Sequence, residues 1–334
     1  MKKIGKSSIS FDNVFVKSKA VVTGPKEFEG PIGKYFDYSF KDLYCNEDTW
    51  EKAEMRMMKL AFLKALEKES IKQDEIDYIV GGDLNNQIAI TSYTFKNMFI
   101  PIFGVFAACS TFTESISLAS ILISSNLAKN VVAITSSHNA TSERQFRYPT
   151  EYGGQKPTSM TSTATSSGAI VLTNDKTNIR ISRITTGKII DVGECDAQDM
   201  GRCMAPAAAV TLLDHLSDFN ITVDEYDLIL TGDLSKFGKE VFRKCLEVKE
   251  IDVSRNHDDA GVLLYDINKQ DVFAGGSGCG CVTAVTLSYV LNQLETKKYK
   301  KVLVLATGAL LNPVMTAQKM TVPCISHAVC FERI

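Results

Sequence analysis

One tryptophan and four histidines are all that 334 residues contain. The histidines stand at 138, 215, 257 and 327, without the short spacing of a metal-ligand motif, so no metal site is expected. Nine cysteines include no Cys-x-x-Cys pair, and an odd count without a disulfide framework reads as a reducing compartment. Long apolar runs are also missing. The longest, residues 116–134, is broken by Ser117, Ser124, Ser125, Asn126 and Lys129, which is too polar for a membrane span. Lys2, Lys3 and Lys6 are followed by no apolar stretch, so no signal peptide is expected. Positive charge is not in excess: 37 Lys and Arg stand against 39 Asp and Glu, for a net charge of −2. The densest basic cluster, 297–301, reads as a solvated loop before a strand, and nucleic acid is not expected as a partner.

What is present is core-forming material. Hydrophobic residues make up 45% of the chain, enough for one large domain or two fused ones. The pivotal stretch is 104–124. The apolar run from Phe103 to Ala107 reads as a buried strand, and Ile116, Ala119, Ser120 and Ile123 share one face of a following helix. Between them sits Ala108-Cys109-Ser110, with no Gly or Pro to lengthen the turn. A turn this sharp places Cys109 at a helix N-terminus, where free N–H groups lower a thiol pKa. A free cysteine ordinarily acts as a small buried apolar side chain. The strand–Cys–helix context instead marks Cys109 as a candidate nucleophile.

The chain repeats itself. EIDYIVGGDL (75–84) and EYDLILTGDL (225–234) match at six of ten positions at an offset of 150. A helix precedes each, with Met58, Ala61, Phe62 and Ala65 on the first and Ala209, Leu212, Leu213 and Leu216 on the second. The Cys109 turn has a counterpart in 277–281, residues 128–140 in 299–313, and 168–175 in 260–268. The expectation is two α/β halves, 1–175 and 176–334, with mostly parallel sheets covered by helices. Residues 11–50 read as irregular: Gly24-Pro25, Gly30-Pro31 and Gly33 mark turns, and the aromatic side chains there form a cover.

Residues 135–167 depart from the repeat as a long polar stretch holding His138, Arg144, Arg147, Tyr148, Tyr152 and Gln155. Loops this long are usually functional or disordered, and the density of Arg and aromatic residues argues against disorder. Guanidinium forks bind carboxylates bidentately, and tyrosine rings stack on planar ligands.

Duplicated halves, a Cys elbow in the first and a Gly-rich turn at the same place in the second resemble the thiolase and ketoacyl-synthase-III superfamily over nearly the whole chain. The resemblance implies a five-layered αβαβα fold and a homodimer. It also implies a Cys acyl acceptor served by one His and a second His or Asn. Here those two places read Thr231-Gly232-Asp233 and Ser277, and only Cys109 is retained. His327 lies where thiolases carry a second Cys ahead of a Gly-rich turn. Claisen condensation is therefore not expected, and Cys109 reads as vestigial.

Longer blocks narrow the resemblance. GPKEFEGPIGKYFD (24–37), SSHNATSERQFRYPTEYGGQKP (136–157), QDMGRCMAPAAA (198–209), ILTGDLS (229–235), FAGGSGCGC (273–281) and ATGALL (306–311) resemble the stage V sporulation protein AD family of spore-forming Firmicutes. That resemblance implies a protein without a cofactor that binds dipicolinic acid, free or as its calcium chelate. It implies other stage V sporulation A membrane proteins as partners, in loading dipicolinate into the spore and releasing it in germination. The place implied is the forespore and spore, peripheral to the inner membrane. Dipicolinate is planar, aromatic and doubly anionic, so it needs cationic forks or free N–H groups and a flat apolar slot. The expected crevice gathers Cys109, His138, Thr231, Asp233, Ser277 and His327, with Arg144, Arg147, Tyr148 and Tyr152 at its rim. Two other readings stand beside this one: a residual acyl-CoA-dependent acyltransferase using Cys109 with His327, and a scaffold of a membrane complex with a vestigial pocket.

Overall fold

The computed structural model describes residues 1–146, 156–193, 196 and 198–334. Ten strands form the spine: β1 (Phe15–Thr23), β2 (Tyr78–Asp83), β3 (Ile102–Gly104), β4 (Asn130–Ser137), β5 (Ser166–Thr173), β6 (Ile179–Thr185), β7 (Leu228–Thr231), β8 (His257–Asp259), β9 (Lys301–Ala309) and β10 (Cys324–Arg333). Their spatial order is β8-β7-β9-β10-β6-β1-β5-β4-β2-β3. Read outward from the centre, the two halves have the same order and the same directions. β2 and β7 run parallel to both neighbours, and the β4–β5, β5–β1, β9–β10 and β10–β6 pairs are antiparallel. The halves meet between β1 and β6, where Phe15 pairs with Arg180. A hairpin of Lys2–Ile4 and Ser8–Ser10 adds to β6.

Alternation along the strands sorts apolar side chains into layers. On β2 and β4, Val80, Val131 and Ala133 face the central core, whereas Ile79, Val132 and Ile134 face an outer one. On β7 and β9, Leu228, Leu230, Val302 and Val304 point inward and Ile229, Leu303 and Leu305 outward. The central layer holds helix α3 (Thr111–Ser124), which packs on β2 and β4 to one side and on β9 and β10 to the other. With it lies α7 (Cys279–Ala284), which continues through a π-helical stretch into Leu291–Glu295. One outer layer is α1 (Trp50–Lys68) with α2 (Ala89–Phe95); the other is α5 (Met200–Phe219) with α6 (Ser235–Glu247). Helix α4 (Asn139–Phe146) follows β4. Five layers result, in the order αβαβα.

Four expectations are corrected. First, each half-sheet is mixed rather than mostly parallel, because the β4–β5 connection leaves and returns at the same end of the sheet instead of crossing it. Second, residues 260–268 are not the counterpart of β5. Ala260–Leu264 is a short helix, and β10 holds the equivalent place. A short apolar run does not by its periodicity distinguish strand from helix. Third, residues 11–50 contain β1, a nine-residue strand at the centre of the sheet. Lys17 and Lys19 interrupt its pattern; Lys19 pairs with Glu295 at 2.7 Å. β3 is also an exposed edge strand rather than a buried one.

Candidate functional site

The elbow is built by its own hydroxyls. Thr111 Oγ1 donates to Ala108 O at 2.6 Å and accepts from Ala107 N–H at 3.0 Å, and Ser110 Oγ donates to Ala107 O at 2.9 Å. These bonds hold Ala108 at φ 50°, a left-handed conformation that costs a non-glycine residue about 1–3 kcal/mol. Gly308 of β9 lies so close that a Cβ there would stand 2.2 Å from Ala107 O. Gly278, at φ 96°, makes the matching turn before α7.

Cys109 is buried, and the Asp233 carboxylate lies close enough to raise the pKa of its thiol. Asp233 Oδ1 accepts from Thr307 Oγ1 at 2.6 Å; Oδ2 accepts from Ser277 Oγ at 3.1 Å and from Gly278 N–H at 3.0 Å. Burial first, and the Asp233 charge second, push the Cys109 thiol well above the ordinary cysteine range. The lowering expected from a helix N-terminus is thereby reversed. The Gly278 N–H acts in that direction, but it is outweighed by burial and the Asp233 carboxylate.

A related arrangement stands across the central layer. Cys279 Sγ donates to Ser136 O at 2.9 Å, and burial, Glu54 and Asp83 raise its pKa. Asp83 accepts from Thr91 N–H, Thr91 Oγ1 and Asn85 N–H at 2.7–2.9 Å. Glu54, inside α1, accepts from Ser136 Oγ and Thr141 Oγ1 at 2.8 Å and from Asn85 Nδ2 at 3.2 Å. Burial and then Asp83 push Glu54 up to about 8, so its carboxyl is mainly neutral at pH 7. Leu84, Cys109 and Cys279 form a small apolar cluster against which Phe146 of α4 packs. Among the described residues, no lysine or arginine pairs with Asp233, Asp83 or Glu54.

Of the expected crevice residues, Cys109, Asp233 and Ser277 come together. Thr231 turns away: its hydroxyl donates to Asp259 Oδ2 at 2.7 Å and lies 3.0 Å from His257 Nε2. His138 is buried, with Nε2 on Leu43 O at 2.8 Å and Nδ1 accepting from Ala140 N–H at 3.2 Å. His327 Nδ1 accepts from Gly187 N–H at 3.0 Å. Burial lowers the pKa of both, so each is neutral and committed to backbone groups. Arg144 pairs with Glu51 and lies 5.5 Å from the Trp50 ring centroid, at the first turn of α1. Arg147, Tyr148, Tyr152 and Gln155 lie outside the described residues. Glu54, Asp83, Leu84, Phe146 and Thr307 were not anticipated. Two signals pointed to the acids: Asp83 aligns with Asp233 at the repeat offset, and Glu54 is an acid on the apolar face of a helix.

Among the described residues, no histidine is hydrogen-bonded to the Cys109 thiol. Burial and the neighbouring carboxylate favour the S–H form of Cys109. Among the described residues, no three His, Cys, Asp or Glu side chains are grouped to hold a metal ion.

Comparison with known proteins fits this geometry. Stage V sporulation protein AD of Bacillus subtilis (strain 168) is 48% identical over 334 residues, spanning all of this chain and 98% of that protein. Among solved structures, 3-oxoacyl-[acyl-carrier-protein] synthase III from Aquifex aeolicus VF5 superposes with a TM-score of 0.58 at 14% identity, covering 96% of this chain and 99% of that one. Cerulenin-bound OleA of Xanthomonas campestris gives 0.62 at 13%, covering 96% and 98%. At such identities the likeness concerns the fold, which is thiolase-like. The profile of the stage V sporulation protein AD family matches residues 5–332, and the chain belongs to that family.

Proposed function

We propose that this protein binds dipicolinic acid, free or as its calcium chelate, within the spore complex that takes up and releases dipicolinate, and that it does not turn over acyl thioesters. The observation that carries this reading is the burial of the Cys109 thiol beside the Asp233 carboxylate. On a fold shared with condensing enzymes, the nucleophile position holds a thiol kept protonated by a carboxylate. The apolar side chains of Leu84 and Phe146, packed with the two thiols, are the proposed neighbours of the flat ring. Arg147, directly after Phe146 in the chain, is the proposed carboxylate ligand.

No described helix is long and apolar enough to cross a membrane. Attachment at the inner spore membrane through the other stage V sporulation A membrane proteins is part of the same proposal. A homodimer completes the proposal. β3 is an edge strand, and Phe99 (95% exposed), Ile102, Phe103 and Phe106 crowd an edge where a second copy can add its strand.

Calorimetric titration of the purified chain with dipicolinate, with and without calcium, tests the ligand. Saturable binding is expected; no heat under either condition would sink the reading. Turnover of acyl-CoA that depends on Cys109 would equally overturn it.

A further inference from the structure

Helices α1 and α2 border a cleft of about 910 Å3 whose lining shares no residue with the Cys109 site. Its apolar surface comes from Met55, Leu60, Leu63 and Met98. Aromatic rings reach it from two separate segments: Tyr38 and Phe40, beside the short strand Tyr38–Ser39, and Tyr93 of α2. Tyr38 is 41% exposed and Tyr93 59%, large values for rings lining a concave surface.

The charge of this lining is one-sided. Lys52, Arg56, Lys59, Lys64 and Lys96 stand against one carboxylate, Glu47, in a chain whose net charge is −2. Arg56 is paired with Glu47 at 3.0 Å, and Lys52 with Asp48 at 2.7 Å. Lys59, Lys64 and Lys96 make no ion pair among the described residues. Two of them stand by the rings instead: Lys64 Nζ is 5.7 Å from the Tyr38 centroid and Lys96 Nζ 5.1 Å from that of Tyr93. A cation beside each exposed ring offers both contacts to one ligand, stacking for a planar group and a point charge for an anion. The volume falls within the roughly 300–1,000 Å3 usual for small-molecule sites. The recess suits a small molecule better than a flat membrane surface.

We propose that this cleft is a binding site for planar aromatic polyanions, a chemistry shared by nucleoside polyphosphates and aromatic dicarboxylates. The proposal is independent of what occupies the slot at Cys109.

The test is calorimetric titration of the full chain with ADP and, separately, with dipicolinate. Adenosine supplies the ring without charge, and inorganic tripolyphosphate the charge without a ring. The Lys59→Glu/Lys64→Glu double variant and Tyr93→Ala alter surface side chains, and a thermal melt checks their folding. Lys269→Glu, remote from the cleft lining, controls for net charge.

At least one of the two aromatic ligands is expected to bind. The double reversal should weaken it at least about ten-fold, Tyr93→Ala should also weaken it, and Lys269→Glu should leave it unchanged. Binding of ADP alone would assign the cleft to nucleotides, and of dipicolinate alone to dicarboxylates. The proposal is overturned if neither ligand shows binding that the double reversal weakens, or if tripolyphosphate binds as tightly as the aromatic ligands. Dipicolinate binding that survives the reversal, with no ADP binding, would remove the cleft and leave the slot at Cys109 standing.

Discussion

Asp83 and Asp233 stand 150 residues apart in equivalent places of the two halves, and each acts on the cysteine of the other half. Asp83 closes β2 and raises the pKa of Cys279; Asp233 follows β7 and raises that of Cys109. Two acids at the ends of the two strand layers thus act on two thiols at the central helices. The site is an inter-half feature, made where the duplicated units face each other.

The first prediction concerns that thiol. Iodoacetamide labelling of Cys109, followed by mass spectrometry across pH, should show a midpoint well above the ordinary cysteine range. In Asp233→Asn the charge is gone and the midpoint should fall, giving faster labelling at mildly alkaline pH. Loss of the carboxylate from its buried donors should cost about 1–3 kcal/mol, read as a lower melting temperature. An unchanged labelling profile would show that Asp233 does not control the sulfur.

Glu54 should leave a signature in stability against pH. Its folded-state pKa is raised from 4.5 to about 8, first by burial and then by Asp83. Across that window the folded chain keeps a proton that the unfolded chain has released, so this contribution is full at the acid end and declines as pH rises toward 8. Glu54→Gln keeps a neutral side chain in place and removes the slope. The melting temperature of the variant relative to the parent should therefore climb between about pH 5 and about pH 8. A difference that stays flat would place Glu54 among ordinary carboxylates.

Ligand binding separates two arginines that lie close in sequence. Arg144 is engaged with Glu51 and Trp50, so Arg144→Ala should change dipicolinate affinity little. Arg147→Ala should lower it roughly ten- to hundred-fold, or about 1.5–3 kcal/mol, the size of a lost charge-assisted contact. Parent-like affinity in Arg147→Ala would mean that backbone N–H groups alone hold the carboxylates.

The exposed edge predicts an oligomeric state. Phe103→Asp and Phe106→Asp place charge on the β3 surface and should shift sedimentation from dimer to monomer without lowering the melting temperature of the monomer. Dimers that persist in both variants would move the interface elsewhere.

The repeat was legible in sequence because buried parallel strands keep their apolar residues and their ends. At offset 150, Gly82 and Gly232, Asp83 and Asp233, and Leu84 and Leu234 still match. That pattern and the Cys109 turn carry the resemblance to the thiolase and ketoacyl-synthase-III superfamily, which implies the layered fold and the missing imidazoles; the longer sequence blocks carry the resemblance to the family. β1 was hidden because Lys17 and Lys19 break its alternation, and only the assembled sheet shows them satisfied at its margins. The counterpart of β5 was misplaced because an apolar run looks alike as strand and as helix until it has neighbours.

The chemistry of the site was decided by tertiary structure. Local sequence puts Cys109 at a helix N-terminus and implies an acidified thiol; burial and a carboxylate from the other half reverse the sign. Glu54 and Phe146, 55 residues before and 37 after Cys109, join the site only because α1 and α4 pack around it. A pKa and a pocket wall depend on what lies within a few ångströms in space, and here those neighbours come from both copies of the repeat.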